Sequence, residues 1–339
     1  MDDISGQNDI RAGIPAGGRG APKGAIAVIV AGCMWGSVGV FVRIFTGYGY
    51  SPLTIVFVRM LLAFAITLVM LLVSGRKSFL CVKPKDLWCF IGAGGSSAIL
   101  LNLFFSMSTL INSLSLAAIL LSTSPIFVVL LSRPIFKERI TAEKAQALCI
   151  AFAGCVLTSG IVGSGSAFSL KGVSIGLLAG VGYSLYSIMS RFALNRGYEP
   201  LTVNIYSFGI ATLFCAPFAN FSVIAATVAD APGRMIALLV VHTLCASFFP
   251  YMFFTYGMKF MDTGKASILV SIEPVAALFF GLGIYGEIPA AISVAGIVLV
   301  LFGLVLLNIP GGLRALPGIL QAPFRIKDRS CAVSIKDRG

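Results

Sequence analysis

The sequence predicts an all-α integral membrane protein with ten transmembrane helices, arranged as two inverted five-helix repeats with both termini on the cytoplasmic side. Three observations lead to this prediction. Long uncharged apolar runs recur along the 339 residues, Lys and Arg concentrate in alternate connections between the runs, and the second half of the chain repeats features of the first. Soluble domains do not combine these three features.

The apolar runs set the number of predicted helices. The chain is 58% apolar and 11% charged, whereas soluble domains are roughly 45–50% apolar and about 25% charged. One span needs about 20 mainly apolar residues, and an uncharged run such as 87–132 is long enough for two. The ten helices are predicted near 24–43, 51–74, 87–108, 113–134, 143–161, 171–192, 200–222, 234–257, 264–285 and 289–310.

The two ends of the chain differ in composition from the region between them. Residues 1–23 are polar and rich in Gly, and residues 311–339 are basic. We interpret both as tails. The helices between them divide into a first repeat at 24–161 and a second at 171–310.

The positive-inside rule supports this count, since Lys and Arg accumulate in cytoplasmic connections. Of the 25 Lys and Arg residues, 21 fall in segments that ten helices with cytoplasmic termini would place inside. Three would lie outside (Arg43, Lys171 and Arg234), and Arg59 lies within a span. An error of one helix in the middle of the chain would destroy this alternation.

Charge and cysteine content exclude several classes of function. The net charge of +12 comes from residues between apolar runs and forms no basic stripe, so no nucleic-acid partner is expected. The eight Cys residues lack the spacing of a metal site. The sequence contains no phosphate-binding Gly-rich loop and no catalytic constellation. We therefore expect no metal, no cofactor and no enzyme activity.

An internal duplication relates the two halves. An offset of 148 residues aligns Pro52-Leu53-Thr54 with Pro200-Leu201-Thr202, and an offset of 149 aligns Pro125 with Pro274, Glu138 with Glu287 and Gly154 with Gly303. Because five is an odd number, two consecutive five-helix units enter the membrane from opposite sides. The repeats are therefore predicted to be inverted, as in many secondary transporters.

Several short motifs recur in the order found in one known group of membrane proteins. They are Met34-Trp35-Gly36-Ser37, Pro52 with Arg59, Ser124-Pro125-Ile126-Phe127, Lys137-Glu138-Arg139 and Ile272-Glu273-Pro274-Val275. With them, the chain resembles the drug/metabolite transporter superfamily, in particular its EamA-type permeases, over residues 24–310. The resemblance implies ten helices around a central cavity. One departure is Tyr183-Ser184, which stands where the first repeat has Trp35-Gly36.

Arg59 and Glu273 lie deep in apolar sequence, where a charge is costly, and His242 lies in the predicted helix 234–257. Glu273 precedes Pro274, which opens the helical hydrogen-bond ladder near residue 270, so its carboxylate could bind a cationic group or a coupling proton. His242, the single histidine, is a second candidate for coupling because it titrates near neutral pH. For Arg59 we expect a structural role, through pairing with a carbonyl or snorkelling.

Pairs of residues related by the duplication are candidates for lining a common cavity. They are Trp35 with Tyr183, Asn102 with Tyr251, Ser106 with Thr255, and Ser122 with Ser271. Together with Glu273 they predict an aromatic, mildly polar chamber suited to uncharged or zwitterionic metabolites.

The function predicted from these features is a secondary transporter in the cell membrane. It would move a small organic metabolite, such as an amino acid, an amine or a nucleoside, by alternating access. The expected partners are that solute and membrane lipids, while protons and a homodimer stay open. The alternative is a channel or a lipid-handling multi-pass membrane protein, although no filter-like motif favours a channel.

Overall fold

The computed structural model describes residues 21–111, 114–158, 169–286, 288, 290–307, 309 and 313, and these residues form helices without strands. The first half contains α1 to α8, with bounds Ala21–Gly36, Val38–Gly47, Pro52–Val73, Leu87–Gly95, Phe104–Ile111, Leu114–Leu121, Ser124–Phe136 and Ala142–Thr158. The second contains α9 to α16, with bounds Leu170–Asn195, Pro200–Cys215, Phe221–Asp230, Pro232–Thr243, Phe249–Met258, Thr263–Leu269, Glu273–Tyr285 and Ala291–Leu306.

Seven helical segments of the described chain have the length and hydropathy to cross a membrane. They are Pro22–Gly47, Pro52–Val73, Pro84–Leu103, Leu170–Asn195, Pro200–Phe218, Pro232–Met258 and Thr263–Tyr285. Three shorter apolar helices are Ser124–Phe136, Phe221–Asp230 and Ala291–Leu306. Large apolar side chains such as Val73, Leu213 and Val298 are exposed on the outside of the bundle. This surface suits lipid, so the chain is an all-helical, multi-pass membrane protein.

The helix predicted at 200–222 ends early in the structure. The helix expected at 200–222 ends in the 3₁₀ turn Ala216–Phe218, and a separate helix, α11, begins at Phe221. Pro217 cannot continue the hydrogen-bond ladder, and the Asn220 side chain accepts the amide of Val223 at 3.3 Å to cap α11. A proline followed by a capping residue therefore starts a helix where a connection was expected.

Helices α8 and α16 show the internal duplication as a packing contact. A Cβ on Gly154 would lie 2.7 Å from the Gly296 carbonyl oxygen and 2.6 Å from the Val300 amide. A Cβ on Gly303 would lie 3.0 Å from both the Ala147 carbonyl and the Ala151 amide. The second set of contacts is the first shifted by 149 residues. The two equivalent helices therefore pack antiparallel around a local two-fold axis, with glycines allowing their backbones to approach.

Irregular backbone also recurs in both halves. A π-helical segment follows α4 at Ser96–Leu103, and another follows α12 at Leu244–Phe248. Ser96 and Leu244 are 148 residues apart, which is the offset of the duplication. The 3₁₀ turn Val270–Ile272 separates α14 from α15 just before Pro274, which confirms the predicted break near residue 270. These interruptions all lie in helices that meet at the centre of the bundle.

The contact between α8 and α16 yields a first prediction. Gly154→Ala should destabilise the fold by about 1–3 kcal/mol, because the added methyl group overpacks a backbone contact. Gly283→Ala is the matched control: nothing lies within 4 Å of a Cβ there, and alanine favours helix. Thermal unfolding in detergent should show a lower apparent Tm for Gly154→Ala alone. Equal Tm values for the two variants would contradict the assigned packing.

Candidate functional site

A cavity of about 380 Å³ opens into the bundle between the two halves of the chain. Its volume lies near the lower end of the range of about 300–1,000 Å³ that is typical of small-molecule sites. Its wall combines aromatic and apolar side chains with a few polar groups. The residues that line it are Trp35, Gly36, Val38, Gly39, Val40, Val42, Arg43, Arg59, Leu101, Asn102, Phe105, Ala118, Leu121, Tyr183, Tyr251, Glu273, Ala277, Gly281 and Tyr285.

An aromatic cluster forms the closed floor of the cavity. The indole of Trp35 lies edge-on to the rings of Tyr183 and Tyr251, with centroid distances of 6.1 and 5.3 Å. Behind it, Phe254 packs against Trp35 at 5.5 Å and is fully buried. Such edge-to-face contacts stabilise aromatic clusters. The Tyr251 hydroxyl meets the Ser97 hydroxyl and the Tyr183 hydroxyl is buried, so the floor offers a solute an aromatic, largely apolar surface.

One helical face supplies a second wall. Glu273, Ala277, Gly281 and Tyr285 follow one another at intervals of four residues, so they lie on the same face of α15. Tyr285 stands at the far end of this face, where the guanidinium of Arg43 lies 4.8 Å from its ring centroid. Both side chains are exposed. The cavity thus opens at the end that Arg43 and Tyr285 mark.

Arg59 joins the two π-helical segments beside the floor. Its guanidinium donates to Asn102 Oδ1 at 3.1 Å and to the Ala246 carbonyl at 3.4 Å. Asn102 in turn donates to the carbonyl of Ser97, and the Ser97 hydroxyl meets the hydroxyl of Tyr251 at 3.2 Å. The network therefore crosses from one half of the chain to the other. It satisfies polar groups that would be costly to bury alone.

Two charged side chains of the wall have polar atoms that no described residue satisfies. Arg59 is 8% exposed, and its Nε has no hydrogen-bond partner among the described residues. Within the same part of the chain, the Glu273 carboxylate makes no hydrogen bond and no ion pair within 4.0 Å. A solute between them would meet both a donor cation and an acceptor anion.

The structure brings together five of the nine residues predicted for the cavity: Trp35, Asn102, Tyr183, Tyr251 and Glu273. It places three others elsewhere. Thr255 is fully buried and bonds Asn204 Nδ2 at 2.8 Å, Ser122 donates back to the Ala118 carbonyl at 2.9 Å, and Ser271 lies in the 3₁₀ turn. The side chain of Ser106 lies outside the described part of the structure.

His242 also lies away from the cavity wall. Its ring is 1% exposed and packs against Phe41 and Phe45, with centroid distances of 4.9 and 5.1 Å. A coupling role for His242 stays a prediction. Arg59 pairs with a carbonyl, that of Ala246, as expected, and its side chain also lines the cavity. The residue type of Arg59 does not predict that it lines the cavity. The spacing of four residues between Glu273, Ala277, Gly281 and Tyr285 is visible in the sequence and could have predicted the α15 wall.

A second hollow, of about 500 Å³, lies between α3 and α10 and is lined almost wholly by apolar side chains. Leu61 and Leu213 border it and are 40% and 74% exposed. It therefore faces the surroundings of the bundle rather than its centre. Its lining suits an acyl chain and provides little for a polar solute.

Comparison with known proteins identifies the family. The model of the EamA-like transporter family matches the chain twice, at residues 22–160 and 170–309. The chain belongs to the EamA-like transporter family. The two matches coincide with the two halves that the duplication relates, so each half is one EamA repeat. A transporter family accounts for a central cavity between repeats in an apolar helical bundle.

Relatives agree with this assignment. Two proteins named as uncharacterized transporters of Archaeoglobus fulgidus are each 25% identical to the chain, one over 254 residues (75% of this chain and 87% of the relative) and one over 293 residues (84% and 95%). The uncharacterized transporter YxxF of Bacillus subtilis is 25% identical over 196 residues, 57% of this chain and 61% of the relative.

A solved crystal structure supports the fold of this EamA-type chain. It aligns with a TM-score of 0.66 over 84% of this chain and 96% of its own, at 17% sequence identity. At that identity the likeness concerns the fold alone.

The Arg59 network yields the second prediction. Asn102→Leu should lower the free energy of unfolding by about 1–3 kcal/mol, because a buried guanidinium loses an acceptor. Ser174→Ala is the control, since that exposed hydroxyl donates at 3.0 Å to the Leu170 carbonyl within its own helix, α9. Thermal unfolding in detergent measures both. An apparent Tm unchanged by Asn102→Leu would show that the Asn102 contact does not stabilise the bundle.

Proposed function

We propose that this chain is a secondary transporter of the cell membrane that carries a small organic metabolite by alternating access. Ten transmembrane helices in two inverted EamA repeats, at 24–161 and 171–310, would form it, with both termini cytoplasmic. The observation that carries the proposal is the central cavity, which lies between the repeats, is open at one end and has a buried aromatic floor at the other. The antiparallel packing of α8 and α16 supports the inverted arrangement.

The charges of the cavity favour a zwitterionic solute. Arg59 Nε can donate to a carboxylate, and the Glu273 carboxylate can accept from an ammonium group. Both side chains lie within membrane-spanning helices, where charged groups are costly and commonly mark substrate or ion sites. The faces of Trp35, Tyr183 and Tyr251 suit an apolar or cationic part of the solute. An amino acid meets these requirements best, ahead of an amine or a nucleoside.

Fluorescence provides the third prediction. The chain has two Trp residues: Trp35 is 7% exposed in the cavity floor, whereas Trp88 is 42% exposed and packs on Phe192. In Trp88→Phe, a solute that enters the cavity should quench or shift the remaining emission, because Trp35 would contact it. Titration with single amino acids, amines and nucleosides measures the response. Trp35→Phe is the control and should give none, and a response kept in Trp35→Phe would place binding outside the cavity.

Counterflow in proteoliposomes tests transport itself and provides the fourth prediction. Labelled solutes that bind in the fluorescence titration should exchange across the membrane, and in Glu273→Gln the exchange should lose its dependence on pH. Among the described residues that line the cavity, Glu273 has the one carboxyl group, and Arg59, Arg43, Tyr183, Tyr251 and Tyr285 are the other titratable groups that face it.

Two outcomes limit this proposal. Exchange whose pH dependence survives in Glu273→Gln would remove the proton-coupling role of Glu273 and leave the carrier. A complete lack of exchange, for every solute that binds, would exclude the carrier.

A lipid-handling role is the second candidate, because the hollow between α3 and α10 is apolar and faces outward. Liposomes with fluorescent phospholipids distinguish the two: lipid handling would move labelled headgroups between leaflets, and a solute carrier would leave them in place.

A further inference from the structure

The turn between α13 and α14 is held by a carboxylate from the other repeat. Glu138 lies just after α7. Its Oε1 accepts a hydrogen bond from the Thr263 amide at 2.9 Å, and its Oε2 accepts one from the Gly264 amide at 3.2 Å. Both oxygens of one carboxylate therefore cap the start of α14, where amides lack helical partners. Charge-assisted bonds of this kind are stronger than neutral ones.

An ion pair crosses between the repeats at the same turn. Lys144 Nζ lies 2.5 Å from Asp262 Oδ2 and also donates to the Arg139 carbonyl at 3.2 Å. The Lys144 side chain is 9% exposed, whereas that of Asp262 is 38% exposed and in reach of water. We name Glu138, Lys144, Asp262, Thr263 and Gly264 the latch. It joins the first repeat to the second through opposite charges and backbone amides.

The backbone before Glu138 is unusual. Lys137 has a φ of 56° and is the one non-glycine residue with positive φ in the described part of the chain. This left-handed conformation ends α7 and turns the chain toward α14. Such conformations cost free energy in a side-chain-bearing residue and occur often at functional sites. The fold thus retains a strained residue directly before the carboxylate that makes the cap.

The latch lies beyond the floor of the cavity. Seven residues separate Tyr251 in the floor from Met258 at the end of α13, which is about 10 Å along a helix. Arg191 lies eight residues beyond Tyr183 and donates to the carbonyls of Met258 and Met261. The exposed mouth at Arg43 and Tyr285 is on the opposite side of the floor. The cavity is therefore open at one end and closed at the end where the latch lies.

We propose that the latch is the gate that keeps the cavity closed at this end, and that it must separate before the cavity can open there. The inference rests on the proposed alternating access and names the contact that regulates it. The contacts suit a gate because they join the two repeats directly. Partial exposure of Asp262 allows water to replace the ion pair once the repeats move apart.

A reporter cysteine tests the gate without a transported solute. Ala277 lines the cavity and is exposed, so Ala277→Cys should react with a membrane-impermeant maleimide from the side of Arg43 and Tyr285. Labelling is compared in right-side-out and inverted vesicles, and the parent chain gives the background of its native cysteines. Adding Glu138→Gln should raise labelling from the latch side severalfold and lower it from the opposite side, because loss of the charged cap favours the state open at the latch.

Glu199→Gln is the matched control. Glu199 pairs with Lys259 at 2.9 Å, but both residues belong to the second repeat. Breaking this pair removes a carboxylate without separating the repeats, so labelling should stay as in the reporter chain. A purely structural cap would change stability and leave the sidedness of labelling unaltered.

Variants of the Lys144–Asp262 ion pair provide a second test of the gate, which is independent of Glu138→Gln and applies if that variant fails to accumulate. Asp262→Asn should shift labelling toward the latch side, and the charge exchange Lys144→Asp with Asp262→Lys should shift it back. Unchanged sidedness in Glu138→Gln and Asp262→Asn, at native abundance and elution volume, would overturn the gate. Neither arm needs transport, so a failure of counterflow would count against the carrier and not against these measurements.

Discussion

The constraint on which this structure depends is that lipid cannot satisfy backbone polar groups. Every amide and carbonyl within the hydrocarbon region must find a partner inside the protein, so irregular backbone is tolerated only where it is covered or lines a cavity. The described chain follows this rule. Its π-helical segments and its 3₁₀ turn before Glu273 all lie next to the central cavity: Asn102 and Glu273 line it, and the Ala246 carbonyl accepts a hydrogen bond from Arg59 in its wall.

The same constraint explains the position of the charges. Arg59 is buried inside the bundle, where Asn102 Oδ1 and the Ala246 carbonyl accept hydrogen bonds from its guanidinium. The acceptors come from the two π-helical segments, one in each EamA repeat. A guanidinium with several fixed donors can bridge two such segments, which an ammonium group would do less well. The charge that stabilises the centre of the bundle therefore also forms part of the wall that a solute would meet.

The internal duplication accounts for the symmetric packing of the helices, whereas the residues that line the cavity differ between the two repeats. Gly154 and Gly303 make equivalent contacts, and the π-helical segments begin 148 residues apart. At the site the symmetry is lost: Glu273 has Ser124 as its counterpart, and Asn102 has Tyr251. A two-fold frame can exchange two states of similar energy, while an asymmetric lining can bind an asymmetric solute.

By itself, the sequence determined the membrane environment, the helical class, the duplication and the break before Pro274. These properties are local or periodic, because hydropathy over about 20 residues and the missing amide of proline act within one segment. It also pointed to Trp35, Tyr183, Tyr251 and Asn102, since duplicated positions share an environment, and to Glu273, since a charge in an apolar span is costly. Only the tertiary structure decided that Thr255 faces a neighbouring helix, that Arg59 borders the cavity, and that Glu138 caps α14. Those facts depend on the rotation of each helix and on contacts between residues 51 to 187 positions apart, which no local pattern encodes.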